Sequence, residues 1–170
     1  MRAMTDEAVA VRRIRGLLGF FVLALVASGL TAVPLEWEAR LLAEHVFALG
    51  STGEAAFPAL AAWMRTVAAG LKDASARYPF LLYGTDWLAF AHLVIALAFW
   101  GPIRDPVRNV WVVELGLIAC ALVPVVAHLA GPVRGIPPFW RWIDSAFGIV
   151  GFVPLAVCRT LIRRLEASGR

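Results

Sequence analysis

Four predominantly apolar runs divide the chain: residues 17–33, 82–100, 110–130 and 142–162. A hydrocarbon core of about 30 Å needs about 20 apolar residues in helical conformation, so each run predicts a membrane-spanning helix. The first run has seventeen residues from Leu17 to Val33 and also fits a signal-peptide core, with Ala27-Ser28-Gly29 as a weak cleavage motif. We read it as a retained span. Pro34 predicts its end, Gly101-Pro102 the end of the second span and Gly131-Pro132 the end of the third.

Residues 35–77 follow another rule. Leu35, Leu42, Val46 and Leu49 fall on one helical stripe, with Glu36, Glu38, Arg40 and Glu44 largely elsewhere. Gly50 suits a C-cap, and Ser51-Thr52-Gly53-Glu54 has the spacing of a capping box. Pro58 also suits a first helical turn, leaving the start of the next helix open. That helix is predicted to reach about Ala76, with Leu60, Met64, Val67 and Leu71 on one face. The expected fold is therefore all-α: a polytopic membrane four-helix bundle in one domain over residues 1–170. One or two short amphipathic interfacial helices lie between spans 1 and 2.

Composition agrees with this reading. Hydrophobic residues make up 61% of the 170 and charged residues 16%, far from the roughly 45–50% and 25% of soluble domains. The +4 balance could suggest a nucleic-acid partner, but arginines scattered at the ends of apolar runs fit membrane orientation instead. No nucleic-acid partner is expected. With the N-terminus inside, Arg2, Arg12, Arg13, Arg15, Arg104, Arg108, Arg159, Arg163, Arg164 and Arg170 face the cytoplasm, ten of the sixteen cations. This predicts both termini inside and residues 35–77 outside. Trp100 and Trp111 flank the inner loop, while Trp87, Trp140 and Trp142 mark the outer rim. Cys120 and Cys158 sit inside apolar runs, at depths differing by about 9 Å, and read as packing residues rather than a disulfide.

Ionisable side chains inside hydrocarbon are expensive, so they deserve a reason. Asp86, His128 and Asp144 fall at one predicted level, about 3–6 Å inside the outer boundary, on three different spans. Arg134 and Arg141 sit just above, and Tyr83 and Thr85 adjoin Asp86. Three readings compete. In the first, the two carboxylates neutralise the two arginines as a structural network. In the second, Arg134 and Arg141, with Tyr83 and Thr85, hold an anionic head group while Asp86, His128 or Asp144 moves protons. In the third, one histidine and two carboxylates resemble a facial-triad metal set. No HExxH or CxxC spacing accompanies them, so no metal is predicted, and no cofactor is specified.

His92 lies alone at mid-depth; a hydrogen bond to a neighbouring helix is the expected use. Glu114, Ile118, Ala121, Val125 and His128 share a stripe expected to face inward, and Glu114 with His92 could serve a proton path. The plainer expectation pairs Glu114 with Arg104 or Arg108. Asp144, Gly148, Gly151, Leu155 and Cys158 share a face of the fourth span that permits close approach. Pro124 and Pro154 leave the carbonyls of Cys120 and Val150 without their helical bonds. Ser145 adjoins Asp144 without a G-x-S-x-G setting. The tetrads Gly101-Pro102-Ile103-Arg104 and Gly131-Pro132-Val133-Arg134 echo each other at a spacing of 30; a repeat of the transporter kind is one reading, and the plainer one is that Gly-Pro ends helices and arginine favours interfaces.

Tyr83-Gly84-Thr85-Asp86-Trp87, the segment Gly101-Pro102-Ile103-Arg104-Asp105-Pro106-Val107-Arg108-Asn109, and Gly135-Ile136-Pro137 with Phe139-Trp140-Arg141 carry a resemblance. Over residues 80–155 the chain resembles an uncharacterised group of small bacterial four-helix inner-membrane proteins. The resemblance implies a bacterial inner-membrane location and, since no activity attaches to the group, no catalytic residue. Function is thus expected to be that of an accessory subunit or small-ligand binder, partnered by the bilayer and by other membrane subunits or a second copy. A lipid-directed enzyme at the outer leaflet and a proton-coupled transporter unit are the alternatives; whether the protein is an enzyme stays open.

Overall fold

The computed structural model describes residues 2–168, with side chains over 7–168. Arg170 and the Arg2 side chain, counted above among the inner cations, lie outside the described residues. The described chain is helical with no strand: α1 (Arg2–Thr31), α2 (Leu35–Leu41) running on as a π-helical turn (Leu42–Val46), α3 (Thr52–Ala56) and α4 (Pro58–Arg77). A 3₁₀ turn (Pro79–Leu82) then leads into α5 (Tyr83–Ala98), α6 (Trp100–Arg104), α7 (Val110–Val133) and α8 (Pro138–Ala167). The all-α expectation holds. Four stretches are long and apolar enough to cross a membrane: Glu7–Thr31, Pro79–Arg104, Val110–Val133 and Pro138–Ala167. Their outward faces carry bare Leu23, Leu97, Leu129 and Val133, each more than 70% exposed, as a lipid-facing surface requires.

Helix ends differ from the predicted ones for local reasons. α1 begins well before Leu17 because Ala, Arg and Glu in the polar segment are good helix formers. It stops at Thr31, three residues before Pro34, which instead precedes α2. α7 runs through Pro132 and ends one turn later than Gly131-Pro132 predicted. The stop is Gly135, at φ +70°, in a Schellman arrangement: Ile136 N–H donates to Gly131 O at 2.9 Å and Gly135 N–H to Pro132 O at 3.2 Å. Pro102 likewise sits inside α6 rather than after the span. The two Gly-Pro-x-Arg tetrads therefore share a helix-closing role.

Two compact units divide the chain: Met1–Ala24 with Ile95–Arg170, and Leu25–Val94. In the first, α7 and α8 form the main pair. Their contact is built from small residues. Gly148 of α8 lies directly against the Cys120 carbonyl of α7, close to Val123 Cβ and Pro124 Cδ. That carbonyl is the one Pro124 deprives of its helical N–H, so the glycine covers an acceptor orphaned within the span. Gly151 meets Cys120 Sγ and Phe21, and Gly116 takes Leu155 and Phe99. Both cysteines are free and buried, matching their expected packing role.

The inward stripe of α7 is Val112, Val113, Gly116, Cys120 and Gly131. This corrects the predicted Glu114–Ile118–Ala121–Val125–His128 stripe, whose Ile118 and Val125 are exposed. Helices in lipid select the face that lets backbones approach, and a stripe of bulky and polar residues does not. The predicted face of α8 holds better: Gly148, Leu155 and Cys158 are buried, joined by Ser145, Ile162 and Leu165. At the unit's other end Arg15 Nε donates to Ile103 O at 2.9 Å, and Cys158 Sγ lies 3.8 Å from Ile14 O. The beginning of α1, the 101–109 turn and the last part of α8 are thereby neighbours.

In the second unit α2 packs on α4 through Ala39, Ala43, Ala61 and Met64. Met64 is buried and Leu60, Val67 and Leu71 are partly covered, as the predicted stripe requires. Both proposed starts after residue 50 are real. Gly50 (φ +80°) makes the turn, Ser51 caps α3, and Pro58 opens α4 after a break at Phe57. Ser51 Oγ accepts from Glu54 N–H at 3.1 Å, while the Glu54 carboxylate accepts from Gly50 N–H at 2.7 Å, one residue beyond a strict box.

Candidate functional site

In the first unit, His128 of α7 and Ser145 of α8 meet. Ser145 is fully buried, its Oγ 3.5 Å from His128 Nδ1. The proton directions are readable from the carbonyls. Ser145 Oγ donates to Arg141 O at 2.7 Å, and His128 Nδ1 lies 3.0 Å from Pro124 O, a partner that can only accept. The Nδ1–H tautomer satisfies both, so this nitrogen is no base toward the serine. Trp142 closes the imidazole edge-on at 4.7 Å between ring centroids. The Arg141 methylenes lie over Gly131, and its Nε is buried without a hydrogen-bond partner. A side chain at Gly131 would occupy the space of that arginine stem.

The predicted carboxylate–arginine network is not formed. Among the described residues Asp144 makes no ion pair with Arg134 or Arg141, and Arg134 is exposed. Asp144 stands next to Ser145 on α8 and is partly exposed. Nor does any group of three His, Cys, Asp or Glu side chains converge among the described residues in a way that could hold a metal.

Asp86, Tyr83, Thr85 and His92 belong to the second unit. Asp86 is exposed in the first turn of α5, where a carboxylate is favoured by the helix dipole. Tyr83 stacks edge-on to Trp87 at 5.9 Å. Thr85 Oγ1 donates to Leu82 O at 2.6 Å and lines a cleft of about 350 Å³ with Glu36, Trp37 and Arg40. The expected bond from His92 to a neighbouring helix is replaced by one within its own: Nδ1 lies 2.8 Å from Leu88 O, four residues back. What the neighbour provides is space, since Gly29 of α1 abuts His92 Cβ.

Glu114 is also paired otherwise than expected. Its partner is Arg159 of α8 at 2.7 Å, and not Arg104 or Arg108; Arg159 further reaches Glu166 at 3.5 Å. Sequence proximity favoured the inner-loop arginines, whereas the close α7–α8 approach brings Arg159 across. The seven-residue spacing of Arg159 and Glu166, two helical turns on one face, was the available signal.

Outside the spans the densest polar knot surrounds Glu54. The Gly50 N–H holds its carboxyl below the ordinary range; partial burial opposes this, and the Arg65 guanidinium at 2.8 Å reinforces it. Arg65 also donates to Phe47 O at 2.9 Å. Its bonds are all to chain-reversal backbone and to each other, which marks a structural clasp.

Comparison with protein-family models, with curated proteins and with solved structures finds no match. The assignment of function therefore rests on the residues.

Proposed function

We propose that this membrane protein is a multi-pass component of a bacterial inner membrane that acts without catalysis, as an accessory subunit or small-ligand binder. One observation carries the reading: four polar groups within the spans hold partners inside the chain. His92 is tied to Leu88 O, His128 to Pro124 O, Ser145 to Arg141 O and Glu114 to Arg159. A nucleophile or a proton relay needs these groups free and within hydrogen-bond reach of a reacting atom. The Arg159 partner of Glu114 weighs against the proton-coupled unit.

Both termini are assigned to the cytoplasmic side. The neighbourhood of Arg15 with the 101–109 turn and of Ile14 with Cys158 supports this, because it gathers the arginine-rich segments at one end of their unit. Native mass spectrometry of the gently extracted protein tests the functional reading. The expected spectrum shows the 18.5 kDa chain carrying a second subunit, another copy or a retained small ligand in fixed ratio. A bare monomer under conditions that preserve other membrane complexes overturns it.

A further inference from the structure

Between the start of α1 and the turn after α6 lies a cleft of about 840 Å³ that belongs to none of the sites considered so far. Among the described residues its walls carry Arg12, Arg15, Arg104 and Arg108, with Glu7 and Asp105 as acids. These four guanidiniums outnumber the two carboxylates around one concavity. Arg15 is held by the chain itself: Nε donates to Ile103 O and an Nη to Arg104 O, at the C-terminal end of α6. Asp105 is partly spent as well, its Oδ1 accepting the Arg108 backbone N–H at 3.1 Å. Arg12, Arg104 and Arg108 are exposed, and none forms an ion pair among the described residues. Like charges in excess around one concavity repel one another, and an anion among them gains from all at once.

We propose that this cleft binds a phosphate-bearing anion. Guanidinium forks match phosphate oxygens in paired hydrogen bonds, which a lysine cannot reproduce. The volume lies in the range of small-ligand sites, roughly 300–1,000 Å³. The cleft stands just beyond the hydrocarbon end of α1, where Arg15 is followed by the uncharged run from Leu17. A phospholipid head group and a free phosphate therefore have the same access.

Two arms separate these sources. In neutral detergent, inorganic phosphate is titrated against the protein at constant ionic strength, and thermal stabilisation is read. In nanodiscs of phosphatidylcholine with a minority of phosphatidic acid, the lipid retained by the ejected protein is read by mass spectrometry. The expected result is a preference for the phosphate ligand in at least one arm that falls at least tenfold in R12Q/R108Q and is unchanged in K72Q, an exposed cation on α4 that lines neither cleft. Retention of phosphatidic acid with no response to phosphate assigns the head group; a response to phosphate assigns the free anion as sufficient. R108Q alone serves if the double variant unfolds, because the backbone bond of Arg108 to Asp105 does not use its guanidinium. No preference in either arm, or a preference that survives the substitutions, overturns the proposal.

Discussion

The α7–α8 pair and the α2–α4 segment solve the same problem with opposite chemistry. Between α7 and α8 the contact is made by absence: Gly116, Gly148 and Gly151 leave room for a side chain or a carbonyl of the partner. Between α2 and α4 the loop is tied by presence, through Ser51, Glu54 and Arg65 and their backbone partners. In hydrocarbon, apolar area separates helices no worse than it joins them, so only closeness discriminates. At a watery boundary charges and caps are cheap to keep and fix the chain reversals.

The comparison is broken most severely by filling the small-residue contact. Gly148→Leu puts a side chain against the Cys120 carbonyl and Val123, and should destabilise the protein by about 3 kcal/mol, the upper part of the usual overpacking range. Unfolding in mixed micelles titrated with a denaturing detergent measures it; wild-type behaviour would remove the close-approach account.

A smaller effect is expected at the one ion pair that joins α7 to α8. Arg159→Gln leaves the half-exposed Glu114 carboxylate without its partner and should cost about 1–3 kcal/mol. Adding Glu114→Gln should recover most of that loss in the same assay, since the double change removes the unpaired charge. If Arg159→Gln is neutral, the pair is incidental.

The smallest effect is confined to the clasp. Glu54 titrates below its ordinary value of 4.5 in the folded protein, so its contribution is complete above that value and is lost as pH falls through the depressed one. Hydrogen exchange at the Gly50 amide, corrected for its intrinsic rate, should show protection at neutral pH that disappears in acid. Glu54→Gln should weaken protection at neutral pH and flatten the dependence, with α7 and α8 untouched. Equal pH dependence in the variant would mean that another group governs the clasp.

The sequence was most legible where composition alone decides. Four apolar runs of membrane length, the cap at Ser51 and the stripe through Met64 follow from period and hydropathy, and the helices carry them. It was least legible where one face had to be chosen over another. Counting polar positions put Glu114 and His128 inward on α7, and both do meet α8, but Ile118, Ala121 and Val125 between them are exposed and the glycines of that same helix determine the contact. Of the two acids and one histidine predicted at one outer level, Asp86 is exposed at the start of α5, Asp144 makes no ion pair among the described residues, and His128 finds Ser145. Depth along a helix can be counted from sequence, but azimuth depends on the partner's shape. The Arg15 bonds to the end of α6 join residues nearly ninety apart, and no local pattern announces them.

α1 and α8 each have thirty residues, about 45 Å of helix, against about 30 Å of hydrocarbon. Roughly a third of each must tilt or overhang, and the overhanging parts are the ones that carry arginines. Those guanidiniums mark a waterline. A thicker bilayer takes up overhang only until it meets them, and a thinner one bares another turn, at fractions of a kcal/mol per Å of mismatch. The charged rim thus sets how far either helix can sink before a guanidinium meets hydrocarbon.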